Sequence, residues 1–255
     1  MKTDITVSMI TKNAEKTIEK SLRSVCDWVD KIIIIDDYST DKTVEIAKKY
    51  QSIVYQNTYQ GEGSQRNFGL KKIVTKWTLT LDTDEIIADK VKEEILDKVK
   101  SPFFSGYRIP FQSYFFHQKL NYGGENYQKM VLFRTKEGFS TEDEIHAVYK
   151  IKTGKIGQFK NKIDHYSYRS LSQLFIKFTN YAIREARQKK SRGEKSSLKK
   201  VFLYPVHLFW ARFIKDKGYK DGLFRIPLDL GFAYMEFLTY FLLFFYSVHP
   251  KGVQG

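Results

Sequence analysis

The first hundred residues constrain this chain most, because short apolar runs and amphipathic helical patterns alternate there four times. Ile5 to Ile10 reads as a buried strand, closed by the polar break Thr11-Lys12-Asn13. Asn13 is a suitable helix N-cap, and Ile18, Leu22 and Val25 follow at helical spacing. Ile32 to Ile35 is wholly apolar, as expected of a central strand covered on both faces. It runs into Asp36-Asp37-Tyr38-Ser39-Thr40-Asp41, where Ser39 or Asp41 can cap a helix whose inner face is Val44, Ile46 and Ala47. A third strand near Ile53 to Tyr55 leads to a Gly61-Glu62-Gly63 loop and a helix with Gln65, Arg66 and Asn67 in its first turn. In the fourth unit Trp77, Leu79 and Leu81 alternate with Thr78 and Thr80, predicting a strand with one packed face. Its helix uses Val91, Ile95 and Val99. Such alternation predicts an α/β fold built on a mostly parallel, doubly wound sheet.

Crossovers in such sheets are right-handed, so the carboxyl ends of all four strands open onto one edge, where ligands bind. That edge collects Thr11, Asp36, Asp37, Asp82 and Asp84. If the backbone stays extended, Asp82 and Asp84 project to the same side and offer two hard oxygen donors. Mg²⁺ or Mn²⁺ accepts one or two carboxylates together with phosphate oxygens and water. The net charge of +14 points independently to an anionic partner: nucleic acid, an acidic membrane or a phosphorylated substrate. The single Cys26 excludes an internal disulfide and a multi-cysteine zinc site.

Beyond Pro102 the pattern changes. Tyr107 to Phe116 and Tyr127 to Phe133 read as strands of an antiparallel extension joined through Gly123-Gly124. Ser140-Thr141-Glu142-Asp143-Glu144 is an acidic turn. Helical spacing returns at Ser170, with Leu174, Phe178 and Tyr181 on one face. Arg184 to Lys200 is basic and contains Gly193 and Ser196-Ser197, the composition of a solvated linker. Val201 to Val248 is dense in Phe, Tyr and Leu, with Pro205 and Pro227 expected to break it into pieces. The uncharged run from Phe237 to Val248 fits a core or an interfacial helix, and no run reaches the roughly 18 apolar residues of a spanning helix. The amino-terminal segment has no signal-peptide pattern.

With these residues in view, the chain resembles a family 2 glycosyltransferase of GT-A fold. Ile-Thr-Lys-Asn at 10–13, Ile-Asp-Asp-Tyr-Ser-Thr-Asp at 35–41 and Leu-Asp-Thr-Asp-Glu at 81–85 carry the likeness. Gly63-Ser64-Gln65-Arg66-Asn67, His165-Tyr166-Ser167-Tyr168 and Gly218-Tyr219-Lys220-Asp221-Gly222 extend it toward bacterial transferases of the lipopolysaccharide core. The resemblance implies that Asp36 or Asp37 accepts a hydrogen bond from the base of a nucleotide-sugar, with Thr11 close by. It implies further that Asp82 contacts the ribose or diphosphate, that Asp84 ligates a divalent ion (Mn²⁺ or Mg²⁺), and that Arg66 meets a phosphate. An inverting transferase needs a general base. Thr141-Glu142-Asp143 is similar to the triplet that supplies it in some members, which nominates Asp143, with Glu142 and Glu144 as alternatives. Two departures stand out: relatives often carry Asp-Ser at the Asp36-Asp37 doublet, and His-Glu where this chain has His146-Ala147.

The expectation is therefore a metal-dependent inverting glycosyltransferase, moving a sugar from a nucleotide donor, UDP-linked by family likeness, to a lipid-linked or lipopolysaccharide acceptor. Residues 1–168 would form the catalytic domain, with 1–100 the nucleotide-sugar half and 101–168 the acceptor and base half. Residues 169–255 would form a helical region. The basic segment and aromatic tail predict a cytoplasmic enzyme, peripheral on an anionic inner membrane face. Two rivals are a nucleotidyltransferase, which lacks here its glycine- and lysine-rich phosphate loop, and a basic nucleic-acid-binding module. The second explains the charge but not the carboxylates, which repel phosphate without a metal, so no nucleic-acid partner is expected.

Overall fold

The computed structural model describes residues 3–100, 103–143 and 147–248. They divide into two compact units, one formed by the chain through Gln112 with Tyr127–His165, the other by Ser113–Asn126 with the chain from Tyr166 onward. The second unit thus takes in the excursion at 113–126, which a division after residue 168 assigns to the catalytic part.

In the first unit the alternation expected from sequence is present. It runs β1 (Ile5–Thr11), α1 (Ile18–Arg23), β2 (Lys31–Asp36), α2 (Thr43–Lys49), β3 (Ile53–Gln56), α3 (Glu62–Leu70), β4 (Trp77–Thr80), β5 (Glu85–Ile86) and α4 (Asp89–Lys98). Then come β6 (Gly106–Phe115), β7 (Gln118–Lys119, on the 113–126 stretch of the second unit), β8 (Gln128–Arg134), β9 (Gly138–Ser140), β10 (Tyr149–Ile151), β11 (Ile156–Gln158) and β12 (Ile163–Tyr168). The main sheet has the order β3-β2-β1-β4-β8-β6-β12-β5. β3, β2, β1 and β4 are parallel, whereas β8 is antiparallel to both β4 and β6, and β5 to β12. Side chains on β2 split by parity: Ile32 and Ile34 enter the main core with Val7, Leu79, Val91 and Ile95, and Ile33 and Ile35 pack with Ile73 on the other face. A strand so covered needs an unbroken apolar run, which is what the sequence supplies.

Three local expectations are corrected, and an open choice between Ser39 and Asp41 is resolved. Asn13 does not cap α1; it adopts φ +50° and its Oδ1 accepts a hydrogen bond from the Thr40 N–H at 2.8 Å, so it ties two ligand-edge loops together. The polar face of β4 is buried as well, because Thr78 and Thr80 hydrogen-bond Thr135 and the Val131 carbonyl. Glu62 and Gly63 belong to the first turn of α3, which places Arg66 and Asn67 in its second. Asp41 serves the start of α2, accepting the Thr43 N–H at 3.0 Å, whereas Ser39 bonds back to Asp36.

The second unit is helical: α5 (Leu171–Ser191), α6 (Leu198–Trp210) and α7 (Ile226–Val248), with short turns of helix between the last two. Ser170 caps α5 by accepting the Gln173 N–H. The predicted linker shrinks to residues 192–197, because Ala182 and Ala186 prolong the buried stripe of Leu174 and Phe178 through the basic stretch. Lys189 turns onto the Tyr240 ring and pairs with Glu185 and Glu194, keeping its charge in water while its stem packs. Pro205 lies inside α6 without ending it, and Pro227 falls in the first turn of α7, where its missing N–H is not needed.

Leu223–Tyr246 is long and apolar enough to cross a membrane, by length and composition alone, which corrects the expectation of no such segment. Counting uncharged residues from Phe237 missed it, because Glu236 and Asp229 interrupt the apolar run; Asp229 is fully buried and ion-paired to Arg225 and Arg212. Arg225 itself is wholly buried. It donates to Asp229 (2.8 Å), Asp221 (3.0 Å) and the carbonyls of Tyr122 and Gly123 (2.9 Å each), and lies 3.4 Å from Glu125. Arg212 bridges Asp229 and Glu125. Gly123, at φ +67°, is required here, since a Cβ would sit 2.1 Å from the Arg225 guanidinium. The Gly218–Gly222 motif is thus structural: Asp221 accepts the N–H groups of Asn121 and Tyr122 and pairs with Arg225.

Candidate active site

Strand ends of the first unit deliver the site. The carboxyl ends of β1 and β2 are in register, Thr11 opposite Asp36. Thr11 Oγ1 is buried and has no hydrogen-bond partner, an arrangement that costs free energy unless something else satisfies it. The Asp36-Asp37 doublet divides its labour. Asp36 is fully buried, and its carboxylate accepts the Ser39 N–H (2.9 Å) and hydroxyl, which shapes the turn. Asp37 stays at the edge, where its carboxylate meets Lys12 Nζ at 2.7 Å and accepts the Tyr59 N–H at 3.0 Å. The Asp37 N–H donates to the Thr11 carbonyl, so the two residues are held together.

After β4 the backbone does not remain extended. Residues 83–84 form a turn, closed by the Glu85 N–H to the Asp82 carbonyl and by the Asp82 N–H to Glu85 Oε2 at 2.9 Å. The two carboxylates therefore take different partners. Asp82 lies between two cations, 3.8 Å from Arg66 Nη2 and 3.9 Å from Lys129 Nζ, beyond hydrogen-bond reach of either. Asp84 lies 3.5 Å from His165 Nε2. His165 comes from β12, whose antiparallel pairing with β5 sets His165 opposite Glu85. Its Nδ1 is 2.6 Å from the hydroxyl of Tyr127, which stacks on Phe111. This contact fixes the ring's orientation and leaves Nε2 facing Asp84.

Charge at this edge is mutually sustained. Burial pushes the Glu85 carboxyl up, and Asp82 adds to the shift while Lys129, 3.3 Å away, opposes it. For Lys129 burial works against the charge, but Glu85 and Asp82 outweigh it and raise the ammonium above its usual range. His165 is likewise raised: burial lowers it and the Asp84 carboxylate more than compensates. Arg66 pairs with Glu62, donates to the Ala147 carbonyl at 3.2 Å and lies 4.8 Å from the centre of the Tyr149 ring.

The acidic loop is docked on α3. A Cβ on Gly63 would lie 1.9 Å from the Thr141 carbonyl oxygen, and the Gly63 N–H donates to the Asp143 carbonyl at 3.0 Å. Asn67 grips the same loop, donating to the Ser140 carbonyl and to Glu142 Oε1 and accepting the Ser140 N–H. Glu142 is engaged there, Asp143 is half-buried beside it, and Glu144 lies outside the described residues. The stretch Gly63–Asn67 is thus a platform, with Arg66 alone of its members facing Asp82.

Among the described residues no three His, Cys, Asp or Glu side chains converge on a metal-sized point. Asp84 and His165 offer one oxygen and one nitrogen donor, and Mn²⁺ or Mg²⁺ completes such a set with phosphate oxygens and water. The donors fit an ion that arrives with a diphosphate. Lys129 and Tyr127 escaped sequence reasoning because both lie on or beside the apolar run of β8, and the β5–β12 pairing is long-range.

The profile of Glycosyl transferase family 2 matches residues 6–160. An uncharacterised glycosyltransferase of Rickettsia prowazekii is 25% identical over 250 residues, covering 92% of this chain and 84% of its own length. One from Rickettsia conorii is 25% identical over 261 residues, covering 98% and 93%. Among solved structures, S. aureus TarS 1-349 in complex with UDP is similar at a TM-score of 0.51, with 16% identity over 98% of this chain and 92% of that one. That likeness is one of fold: the mixed α/β GT-A architecture with carboxyl-terminal helices.

Proposed function

This chain belongs to glycosyl transferase family 2, and from that premise we propose that it moves a sugar, with inversion, from a uridine-diphosphate sugar to a lipid-linked or lipopolysaccharide-core hydroxyl at the inner membrane face. The observation that carries the reading is the edge itself. An unsatisfied Thr11 hydroxyl, the Asp37 carboxylate, the cations Arg66 and Lys129 and the Asp84–His165 pair all stand on the carboxyl-end side of one parallel sheet. The UDP bound by TarS, a protein of the same fold, supports a uridine donor.

In this reading Asp37 accepts a base N–H, and the Thr11 hydroxyl gains the partner it lacks in the unliganded chain. Arg66, whose planar donors suit phosphate oxygens, and Lys129 hold the diphosphate, and Asp82 between them accepts a ribose hydroxyl. Asp84 and His165 would hold Mn²⁺ or Mg²⁺, which when bound neutralises charge developing on the departing diphosphate. Asp143, fixed through the Gly63 and Asn67 contacts, takes the proton of the acceptor hydroxyl as its oxygen forms the new bond to the anomeric carbon. The bond from that carbon to the diphosphate breaks on the opposite face. Incubation with a panel of nucleotide-sugars and Mn²⁺, measuring released nucleoside diphosphate, tests the donor. Release from UDP-sugars alone is expected, and release from none, or equally with excess chelator, overturns the reading.

A further inference from the structure

Five side chains on and after α6, namely Leu198, Phe202, Val206, Trp210 and Ile214, recur every fourth residue and are all exposed, Val206 to 67% and Trp210 to 48%. Residues four apart are neighbours on a helix, and each step turns by about 40°, so from Leu198 to Trp210 they form a continuous stripe about 18 Å long that winds through about 120°. The flank of the helix beside Leu198 is accounted for, since Val201 and Pro205 are buried within the unit. The stripe continues sideways onto α7, where Phe202 meets Phe237 and Phe237 stacks on the exposed Phe241. No charged residue interrupts α6 between Lys200 and its end. Exposed lysines gather at its two ends instead: Lys195 just before it and Lys199 in its first turn, Lys215, Lys217 and Lys220 after it. No acidic residue lies between 195 and 215.

We propose that α6 lies flat in the headgroup region of an anionic bilayer, with the Leu198–Ile214 stripe against the acyl chains and the terminal lysines on lipid phosphates. An exposed apolar stripe of this length demands a cover, and charge complementarity selects the occupant. Apolar residues in the middle with cations at both ends match a surface that is apolar below and anionic above. A tryptophan on such a stripe suits headgroup depth, where its ring is buried and its N–H stays wet. The inference rests on the membrane-side acceptor proposed above and assigns it an element. It shifts the contact away from the middle of the basic stretch, because Lys189 is occupied by Glu185, Glu194 and the Tyr240 ring.

Trp210 makes the test residue-specific, since Trp28 and Trp77 are buried in the first unit. Intrinsic fluorescence of the full chain is titrated with phosphatidylglycerol vesicles and with phosphatidylcholine vesicles, beside a Phe202→Ser/Val206→Ser variant that retains Trp210. The wild type should bind the anionic vesicles with a blue shift and quenching by brominated lipid, and bind neutral ones weakly. In the variant, each lost apolar contact should weaken binding about tenfold, about 100-fold together. Unchanged hydrolysis of the soluble donor would show that the variant is folded. If wild type and variant bind equally and Trp210 does not shift, the α6 assignment falls while the membrane reading stands. If neither binds and sedimentation shows a wild-type dimer that the variant loses, the stripe is an interface between copies. Both membrane claims then fail, and the donor assay still judges the transferase reading.

Discussion

Two clusters of charge, one in each unit, invite comparison. Arg225 holds three carboxylates and two backbone carbonyls by contacts of 2.8–3.4 Å, Arg212 bridges two of the same carboxylates, and Arg225 and Asp229 are fully buried. At the ligand edge of the first unit some pairs are close, as Lys12 with Asp37 at 2.7 Å, but the pairs of Asp82 and Asp84 with their cations span 3.5–3.9 Å, Asp82 is held by two cations without a hydrogen bond, and a buried hydroxyl has no partner. Both clusters are built from the same residue types. The difference is satisfaction: one network is closed on itself, and the other leaves donors and acceptors for something that arrives from outside. Ionic residues in a sequence mark either a brace or a site, and only the completeness of their bonding separates the two.

The strongest way to break the comparison is Arg225→Leu. Removing one partner of a buried ionic network leaves uncompensated carboxylates and should cost about 3–5 kcal/mol of stability. Urea unfolding measures this, and a loss below about 1 kcal/mol would deny the cluster its bracing role. Next comes Asp84→Asn. Turnover should fall about 10²–10³-fold, the scale for losing a group that stabilises developing charge. Stability should move by less than about 1 kcal/mol, as for a surface position. Chelator should abolish the remaining wild-type turnover, and full activity in either case removes Asp84 from the site. Asp143→Asn should lower the transfer rate about 10²-fold with donor binding unchanged. Normal turnover there, with loss in Glu142→Gln, moves the base to its neighbour. The smallest effect is the sharpest for the comparison. Thr11→Val, nearly isosteric, should leave stability unchanged or slightly higher, because no protein hydrogen bond is lost, yet weaken UDP binding by about 1 kcal/mol. Calorimetry with UDP and thermal unfolding would report the two separately.

The ligand edge was legible because four apolar runs each end abruptly in polar residues, and a parallel sheet then dictates where those ends meet. The Asp36-Asp37 doublet was not separable by sequence, since which carboxylate folds back onto Ser39 depends on a turn three residues long. The expectation that Asp82 and Asp84 act as a pair assumed an extended backbone, and the turn at 83–84 removes the premise. Lys129, and the partners of the motif residue His165, were out of reach for another reason. They arrive by antiparallel pairings between strands distant in sequence, for which local periodicity holds no information. In the second unit a run of lysines and arginines looked like linker, although Ala182 and Ala186 continued the helical stripe beneath it.

The docking of the acidic loop on α3 has a consequence for tolerance to insertion. Gly63, Arg66 and Asn67 fall within about 6 Å along one helix axis at 1.5 Å per residue. The spacing between the Asp82-facing cation and the loop that carries Asp143 is therefore set by a rod, not by two independently moving loops. One added residue between Gly63 and Arg66 would turn the cation about 100° away from the loop contact. The same residue added at 192–197, between α5 and α6, would be absorbed by an exposed connection. Length variation in this protein should accordingly be silent in the helical connection and ruinous within a single turn of α3.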